Sequence, residues 1–431
     1  MNVLNRAATI CLLQQAVREF HSVNKHQILF IKIKAMNKLI LMLGAVIIAL
    51  GSCKQEPANL WDTPDAYLGQ TQPADTPKIF APGLLADTGN FAGDRVAFSA
   101  DGKEFYYSQN NTWFDSKNLK VKYVKFKDGK WGKPIAITPQ YYGPTFSSDD
   151  KTIYLMGGGN KKPGTDMISQ MHRTDTGWSA PVPYRIWPYR MYDFTPTKSG
   201  NIYAGSNGNW GTMDWQNCQF ARINASKGDT AIKSLARPVN SPGFNGDFFV
   251  APDESFMVIS AKEHPDFECE LWITYHKPDD TWTNPKSLGP LINNDLAHRW
   301  GEYVSPDGKY LFYTHGHSAK DCYIYWVRFD TLFEKLKHTN FEPYVKNDIP
   351  AQTARAGHVW KFQVPENTFI DDDGSNTLTY RIANLPAGLM FDASTLTISG
   401  QALAGKYEIS ISATDKAKAS AIAKFTLNVE R

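Results

Sequence analysis

Acidic and basic residues recur in company along the first three quarters of the chain: Asp94 with Arg95, Arg190 with Asp193, and Arg299 with Glu302, with Tyr142 and Asp247 in between. Each stands shortly before a copy of one repeated turn. Two carboxyls of this kind, one protonated and one ionised, are what a glycoside hydrolase uses on either side of a glycosidic bond. The same mixture of charges lining a channel would instead hold a polar ligand or trapped water. Spacing from the turn differs from repeat to repeat, so the residues do not make one simple ring, and nothing says which two carboxyls would face each other. A second grouping is His298, His315, His317 and Asp321. On an extended strand, His315 and His317 point to one face, which suits metal ligation as well as a solvated strand end, and no clear third and fourth ligand is in view. No Ser-His-Asp set can be assembled by spacing, and no phosphate-cradling Gly-x-x-x-x-Gly-Lys loop occurs.

The elements that must position these side chains show as an internal repeat. Ser99-Ala100-Asp101-Gly102-Lys103-Glu104-Phe105-Tyr106-Tyr107 recurs without a gap at Ser147–Leu155, Thr195–Tyr203, Ala251–Ile259 and Ser305–Tyr313. Each copy reads as a strand, a Pro-Asp-Gly type turn and a second strand rich in β-branched and aromatic residues. Third strands follow at Lys120–Phe126, Met167–His172, Gln219–Ile223, Leu271–Tyr275 and Tyr323–Phe329. A Trp-x-x-Pro element then introduces a fourth, at Trp131–Pro134, Trp178–Pro181 and Trp282–Pro285. The third repeat has lost that tryptophan and the fifth lacks the element. Thr76–Phe80 upstream resembles the missing strand and would close a ring, which removes a free sheet edge. Two separate sandwiches would leave the gapless repeat unexplained.

These Ser/Ala-Pro-Asp-Gly-Lys hairpins resemble the TolB-type, WD40-like propeller repeats of bacterial envelope proteins, over roughly Pro77 to Phe333. The resemblance implies a fold and leaves function open, because such repeats occur in binding proteins and inside enzymes. Beyond Asn347 the pattern changes. Asp371-Asp372-Asp373-Gly374, Leu378-Thr379-Tyr380, Leu385-Pro386-Ala387-Gly388-Leu389 and Ile409 to Asp415 resemble the "putative Ig" and dystroglycan-type cadherin-like family. That resemblance implies a possible calcium role for Asp371, Asp373 and Asp415, since calcium takes several oxygen ligands; the alternative is a solvated acidic turn. The expected fold is therefore all-β, a β-propeller of about five blades followed by a small immunoglobulin- or cadherin-like β-sandwich.

The amino end reads as a targeting segment. Met36–Lys38 and the apolar run Leu39–Leu50 have signal-peptide anatomy, and Leu50-Gly51-Ser52-Cys53 resembles a bacterial lipoprotein box in which Cys53 receives the lipid. The expected division is 1–35 a mis-called start or leader, 36–52 the signal peptide, 53–75 a flexible tether, 76–346 the propeller with its closing strand, and 347–431 the sandwich. Cys218, Cys269 and Cys322 occupy comparable places in successive repeats and read as buried free thiols. A net charge of only +3, with no basic stripe, argues against nucleic acid as a partner. The expected protein is a lipid-anchored component of the bacterial envelope, on the outer membrane and facing periplasm or exterior, that binds a glycan or an envelope protein. A glycoside hydrolase using paired carboxylates is the alternative.

Overall fold

A computed structural model of the chain describes residues 59–112, 118–158, 166–187, 191–206, 219–229, 231–240, 246–261 and 268–431. The leader, the signal peptide, Cys53, Arg190 and Cys218 lie outside the described residues. No helix among the described residues is long and apolar enough to cross a membrane.

The repeated motif folds as it does because its polar side chains satisfy the turn's own backbone. In the first copy the Ser99 hydroxyl donates to Asp101 (2.7 Å) and accepts from the Glu104 N–H (3.0 Å), while Asp101 also accepts from the Lys103 N–H (3.1 Å). Ser147 with Asp149 and Ser305 with Asp307 repeat these bonds. The fourth residue of each turn is left-handed, at Gly102, Asp150, Gly200, Glu254 and Gly308; the third turn is thus Thr197–Gly200, two residues beyond the start that the gapless alignment assigns it. Such a backbone suits glycine, and at Gly102 glycine is also required by space, because a Cβ would lie 2.8 Å from the Trp61 ring. Where the position is acidic, the side chain ties neighbouring turns together. Asp150 accepts from the Ala100 N–H (2.5 Å), and Glu254 accepts from Thr197, Ser199 and Tyr203.

Five antiparallel sheets follow one another along the chain. Sheet 1 holds Phe91–Phe98, Glu104–Asn110, Lys120–Lys127 and Ile135–Pro139. Sheet 2 holds Tyr141–Phe146, Thr152–Gly157, Asp166–Thr174 and Val182–Trp187. Sheet 3 holds Tyr192–Pro196, Ile202–Ser206, Gln219–Ile223 and Lys233–Ser234, and sheet 4 holds Phe248–Val250, Phe256–Ala261, Glu270–Tyr275 and Lys286–Ser287. Sheet 5 holds His298–Val304, Tyr310–Ser318 and Asp321–Arg328 and takes its outer strand from the amino end: Lys78 of Lys78–Ile79 lies opposite Trp326. The first strand of each sheet touches the first strand of the next, and Phe91–Phe98 touches His298–Val304. The ring thus closes on itself, and aromatic and aliphatic side chains fill the seams between sheets.

Two expected boundaries change. The tether expected over 53–75 is, in its described part, packed into the seam between sheets 1 and 5. Leu60, Trp61, Ala66, Tyr67 and Leu68 are all buried, and the Trp61 indole donates to the Ala100 carbonyl (2.8 Å). The reason is burial of apolar surface that the surrounding Pro, Asp and Gln residues mask in a periodicity reading. At the other end, Tyr344–Val345 pairs with Phe369–Ile370. Strand pairing of the C-terminal module therefore starts before residue 347, and Asn347–Pro350 lies inside the module instead of forming a hinge ahead of it.

That module is a sandwich. Gln352–Arg355 runs parallel to Ser420–Glu430, which continues antiparallel to Gly405–Thr414 and then Thr379–Ala383, while Trp360–Gln363, Thr397–Gly400 and Leu389–Asp392 make the second sheet. Ile398, Ile409, Ile411 and Leu427 form its buried centre. The helix Asp330–Lys337 joins it to the propeller, with Phe333 against Phe256 and Tyr275 of sheet 4. Asp372 crosses the seam, accepting from Lys277 Nζ (2.8 Å) and from the Asn284 N–H (2.6 Å). Charged hydrogen bonds of this kind are worth about 1.5–3 kcal/mol each. Asp372→Ala is expected to loosen the module, seen as faster hydrogen exchange over Asn340–Lys346; unchanged protection there would show that the seam does not depend on Asp372.

Candidate functional site

The channel residues are aimed by a distortion common to the innermost strands. Pairing slips between Gly93 and Ala97, Tyr142 and Thr145, Tyr192 and Thr195, and Trp300 and Tyr303. Bulges of this kind bend a strand and redirect its side chains. Left-handed residues mark them, at Asp94, Gly143, Asp193 and Gly301. At Gly301 a Cβ would sit 2.4 Å from the backbone of Asp94, so the approach of sheet 5 to sheet 1 requires glycine. Counting back four residues from the start of each turn gives Arg95, Gly143, Asp193, Asp247 and Gly301. Arg95, Asp193 and Asp247 therefore share a position once the third turn is taken from Thr197, whereas Asp94, Tyr142, Arg299 and Glu302 stand at other offsets, as expected; the bulge of sheet 1 holds one residue more than the others.

Arg95 crosses the channel. Its guanidinium donates to Thr195 Oγ1 (2.9 Å), to the Phe194 carbonyl (3.2 Å) and to the Phe248 carbonyl (2.7 Å), and it lies 3.4 Å from Asp193 Oδ1. Sheet 1 is thereby bonded to sheets 3 and 4 through a side chain only 3% exposed. The carboxylates clasp successive sheets: Asp193 accepts from the Phe248 N–H (3.0 Å), Asp247 from the Gly301 N–H (3.2 Å), and Glu302 from the Ser260 hydroxyl (2.8 Å). Glu302 Oε2 is buried with no hydrogen-bond partner.

One guanidinium among four carboxyls leaves excess negative charge out of water, and burial disfavours the charged form. Burial, with the charge of Asp193, pushes Glu302 up to about 8. Burial likewise raises Asp94 to about 6, against the Arg95 N–H that favours its anion. Asp247 is pushed well above the usual range by burial and by Asp193, Glu302 and Asp94. Asp193 is also raised by burial despite Arg95. The cluster therefore stores protons near neutrality. Asp193 and Glu302 are buried, while Asp94 and Asp247 keep part of their surface.

Of the residues expected at the channel, Asp94, Arg95, Asp193, Asp247 and Glu302 are brought together. Tyr142 packs instead into the seam with Met156 and Phe194. Arg299 is fully buried and turned away, its guanidinium on the carbonyls of Cys269 (2.8 Å) and Asp295 (3.2 Å) and on the Asp295 carboxylate. Sequence reasoning missed Thr195 and Ser260, which complete the network, and a second repeat: Lys233-Ser234-Leu235 to Asn240 matches Lys286-Ser287-Leu288 to Asn293. Each asparagine grips the backbone of a third strand, Asn240 at Phe220 and Asn293 at Leu271.

The three aspartates expected to hold calcium meet N–H donors. Asp373 accepts from Phe341 (2.6 Å), Asp371 from Asp373 (2.7 Å), and Asp415 from Asn340 Nδ2 (2.8 Å) and Ala419 (2.9 Å). As placed, Asp373 and Asp415 hold the linker residues Phe341 and Asn340 to the module, and Asp371 is raised by burial and by the charges of Asp373, Asp415 and Asp372 beside it. Cys269 and Cys322 are buried and outside any disulfide, and the Cys269 thiol donates to the Arg299 carbonyl (3.0 Å). A cavity of about 350 Å³ opens beside the closing strand, where Asp87, Asn90 and Phe91 face Lys320 and Tyr323.

Residues 342–430 match the family described as Putative Ig domain. No curated protein matches the chain. Among solved structures, a putative α-galactosidase from Bacteroides fragilis aligns at 19% identity over 20% of this chain and 17% of its own, with a TM-score of 0.17. This chain thus spans under a fifth of that protein. TolB from Acinetobacter baumannii aligns at 13% identity over 55% of each chain, TM-score 0.31. A putative TolB from Agrobacterium tumefaciens aligns at 13% identity over 57% of this chain and 77% of its own, TM-score 0.33. By its ring of wrapped sheets and by the family match, the chain is a β-propeller carrying a C-terminal Putative Ig domain.

Proposed function

We propose that the chain is a lipid-anchored envelope protein whose propeller binds a glycan or an envelope protein and does not turn it over. The observation that carries this reading is the bonding across the channel: Arg95 spans it, Asp193 and Asp247 accept from the backbone of the neighbouring sheet, and Glu302 accepts from the Ser260 hydroxyl. A carboxyl engaged in holding the ring must give up that bond before it can approach a scissile bond. The cavity beside the closing strand supports the binding reading, because Tyr323, 41% exposed, stands there with Asp87, Asn90 and Lys320. An aromatic face among a few convergent polar groups is a common recognition arrangement for sugars and peptides. The anchor rests on Leu50-Gly51-Ser52-Cys53.

The test uses the full chain in detergent on a glycan array and in pull-downs from envelope extracts, beside labelled-palmitate incorporation in cells. Binding is expected to weaken about tenfold in Tyr323→Ala, the equivalent of about 1.4 kcal/mol, and labelling to be lost in Cys53→Ala. Release of sugars from a polysaccharide panel, abolished by Glu302→Gln or Asp193→Asn, would establish the hydrolase instead.

A further inference from the structure

Away from the channel, the loop that leads into His298–Val304 meets the far end of Tyr310–Ser318, and three donor atoms converge. His315 Nε2 lies 3.0 Å from Asp295 Oδ1, and His317 Nε2 lies 3.3 Å from Asp295 Oδ2. All three ligand atoms fall within 4.8 Å of one another, and among the described residues this is the only His, Cys, Asp or Glu cluster of three that does so. We propose that Asp295, His315 and His317 bind a divalent transition-metal ion of the zinc type, with a fourth position open to water.

The geometry suits that ion. Zinc bound at about 2.0–2.1 Å by nitrogen and about 2.0–2.2 Å by oxygen sets tetrahedral ligands about 3.4 Å apart; the two histidines lie 3.0 and 3.3 Å from the two separate oxygens of Asp295, so either oxygen can take the ion between them with a small turn of the carboxylate. The two rings stand at 86° with centroids 5.3 Å apart, so both can turn one nitrogen to a common point. Behind His317, Asp321 Oδ2 lies 3.0 Å from Nδ1. A carboxylate on the far nitrogen fixes the tautomer and leaves the Nε2 lone pair forward, as in established zinc sites. Arg299 donates to Asp295 Oδ1, the oxygen that His315 approaches, and the Asp295 loop is pinned where Asn293 grips Leu271. An entry path exists, since the side chains of His317 and Asp295 are 45% and 36% exposed. Arg299 places a positive charge against the same carboxylate, so affinity is expected below that of closed four-ligand sites. His298 is not part of the set; it stacks on Trp300 at 4.2 Å.

The experiment is equilibrium dialysis of the chelator-stripped full chain against zinc chloride with elemental quantification, repeated with cobalt(II) to read coordination from its visible absorption. One equivalent is expected, with cobalt absorption of four-coordinate intensity. His317→Ala is expected to weaken binding at least a hundredfold, Asp321→Asn about 10–100-fold, and His298→Ala not at all. Because His317 is exposed, its variant keeps the fold, which circular dichroism checks. Less than one equivalent bound, or binding unchanged in His317→Ala, overturns the proposal and leaves Asp295 as a hydrogen-bond bridge between two histidines.

Discussion

Tyr67→Ala is expected to lower the stability of the propeller by about 3–5 kcal/mol, the range for deleting a fully buried aromatic ring. Tyr67 is 0% exposed and lies where the ring closes, its own ring 4.8 Å from Tyr310, 5.1 Å from Trp61, 5.4 Å from Trp326 and 5.8 Å from Phe98. Its hydroxyl donates to Asp307 Oδ2 at 2.6 Å, binding the amino-terminal segment to the turn of sheet 5. Removal of the ring empties the seam between sheets 1 and 5 and frees Trp61 from one side. Tyr67→Phe keeps the packing and loses one hydrogen bond, so a smaller change of about 1 kcal/mol is expected. Denaturant midpoints of the two variants separate the contributions. Should Tyr67→Ala unfold at the wild-type midpoint, residues 60–72 would not be part of the ring closure, and the expectation of a free tether would return.

The sequence makes the repeat plain because its chemistry is local: a serine, an aspartate and a left-handed residue satisfy one turn within nine residues. Channel chemistry is less legible, since direction there depends on bulges. The third turn starts at Thr197, two residues beyond the start that the gapless alignment assigns it, and that shift hides that Asp193 shares a position with Arg95 and Asp247. Tyr142 and Arg299 have the right residue types and the right neighbourhood, yet their strands aim them into a seam and into the Asp295 loop. Trp61 and Tyr67 lack any 2- or 3.6-residue period around them, so nothing short of the folded ring shows that they are core. Asp295 is twenty residues from His315 and joins it only through the pairing of Trp300 with Thr314 and its neighbours. The aspartates of the C-terminal module carry the family pattern, but the preceding linker, with Asn340 and Phe341, uses them as acceptors.

Arg95 and Glu302 together predict how stability depends on pH. In the native chain Glu302 holds its proton up to about 8, against a usual value of 4.5, because burial and Asp193 disfavour its anion. Between those values the native state binds more protons than the unfolded chain, so stability is full below 4.5 and falls as pH rises towards 8. Asp247 and Asp94, also raised, act with the same sign. His315, lowered by burial, acts oppositely below its usual 6.5, and Lys286, lowered by burial to about 8, acts oppositely as pH nears 8, so the contribution of Glu302 between 6.5 and 8 is read as the difference between its variant and the wild type. Each proton held there contributes a slope of up to about 1.4 kcal/mol per pH unit. Glu302→Gln is therefore expected to flatten the fall and to be more stable than the wild type at pH 8. Arg95→Met should do the reverse. Without the guanidinium the carboxyls lose their one neutralising charge, the fall steepens, and the loss at pH 8 reaches about 3–5 kcal/mol, as when one partner of a buried ion pair is removed. Melting temperatures of the three proteins between pH 6.5 and 8 decide the matter. Parallel curves would mean that water reaches these carboxyls, so that the channel is open and its acids are available to a ligand or a substrate.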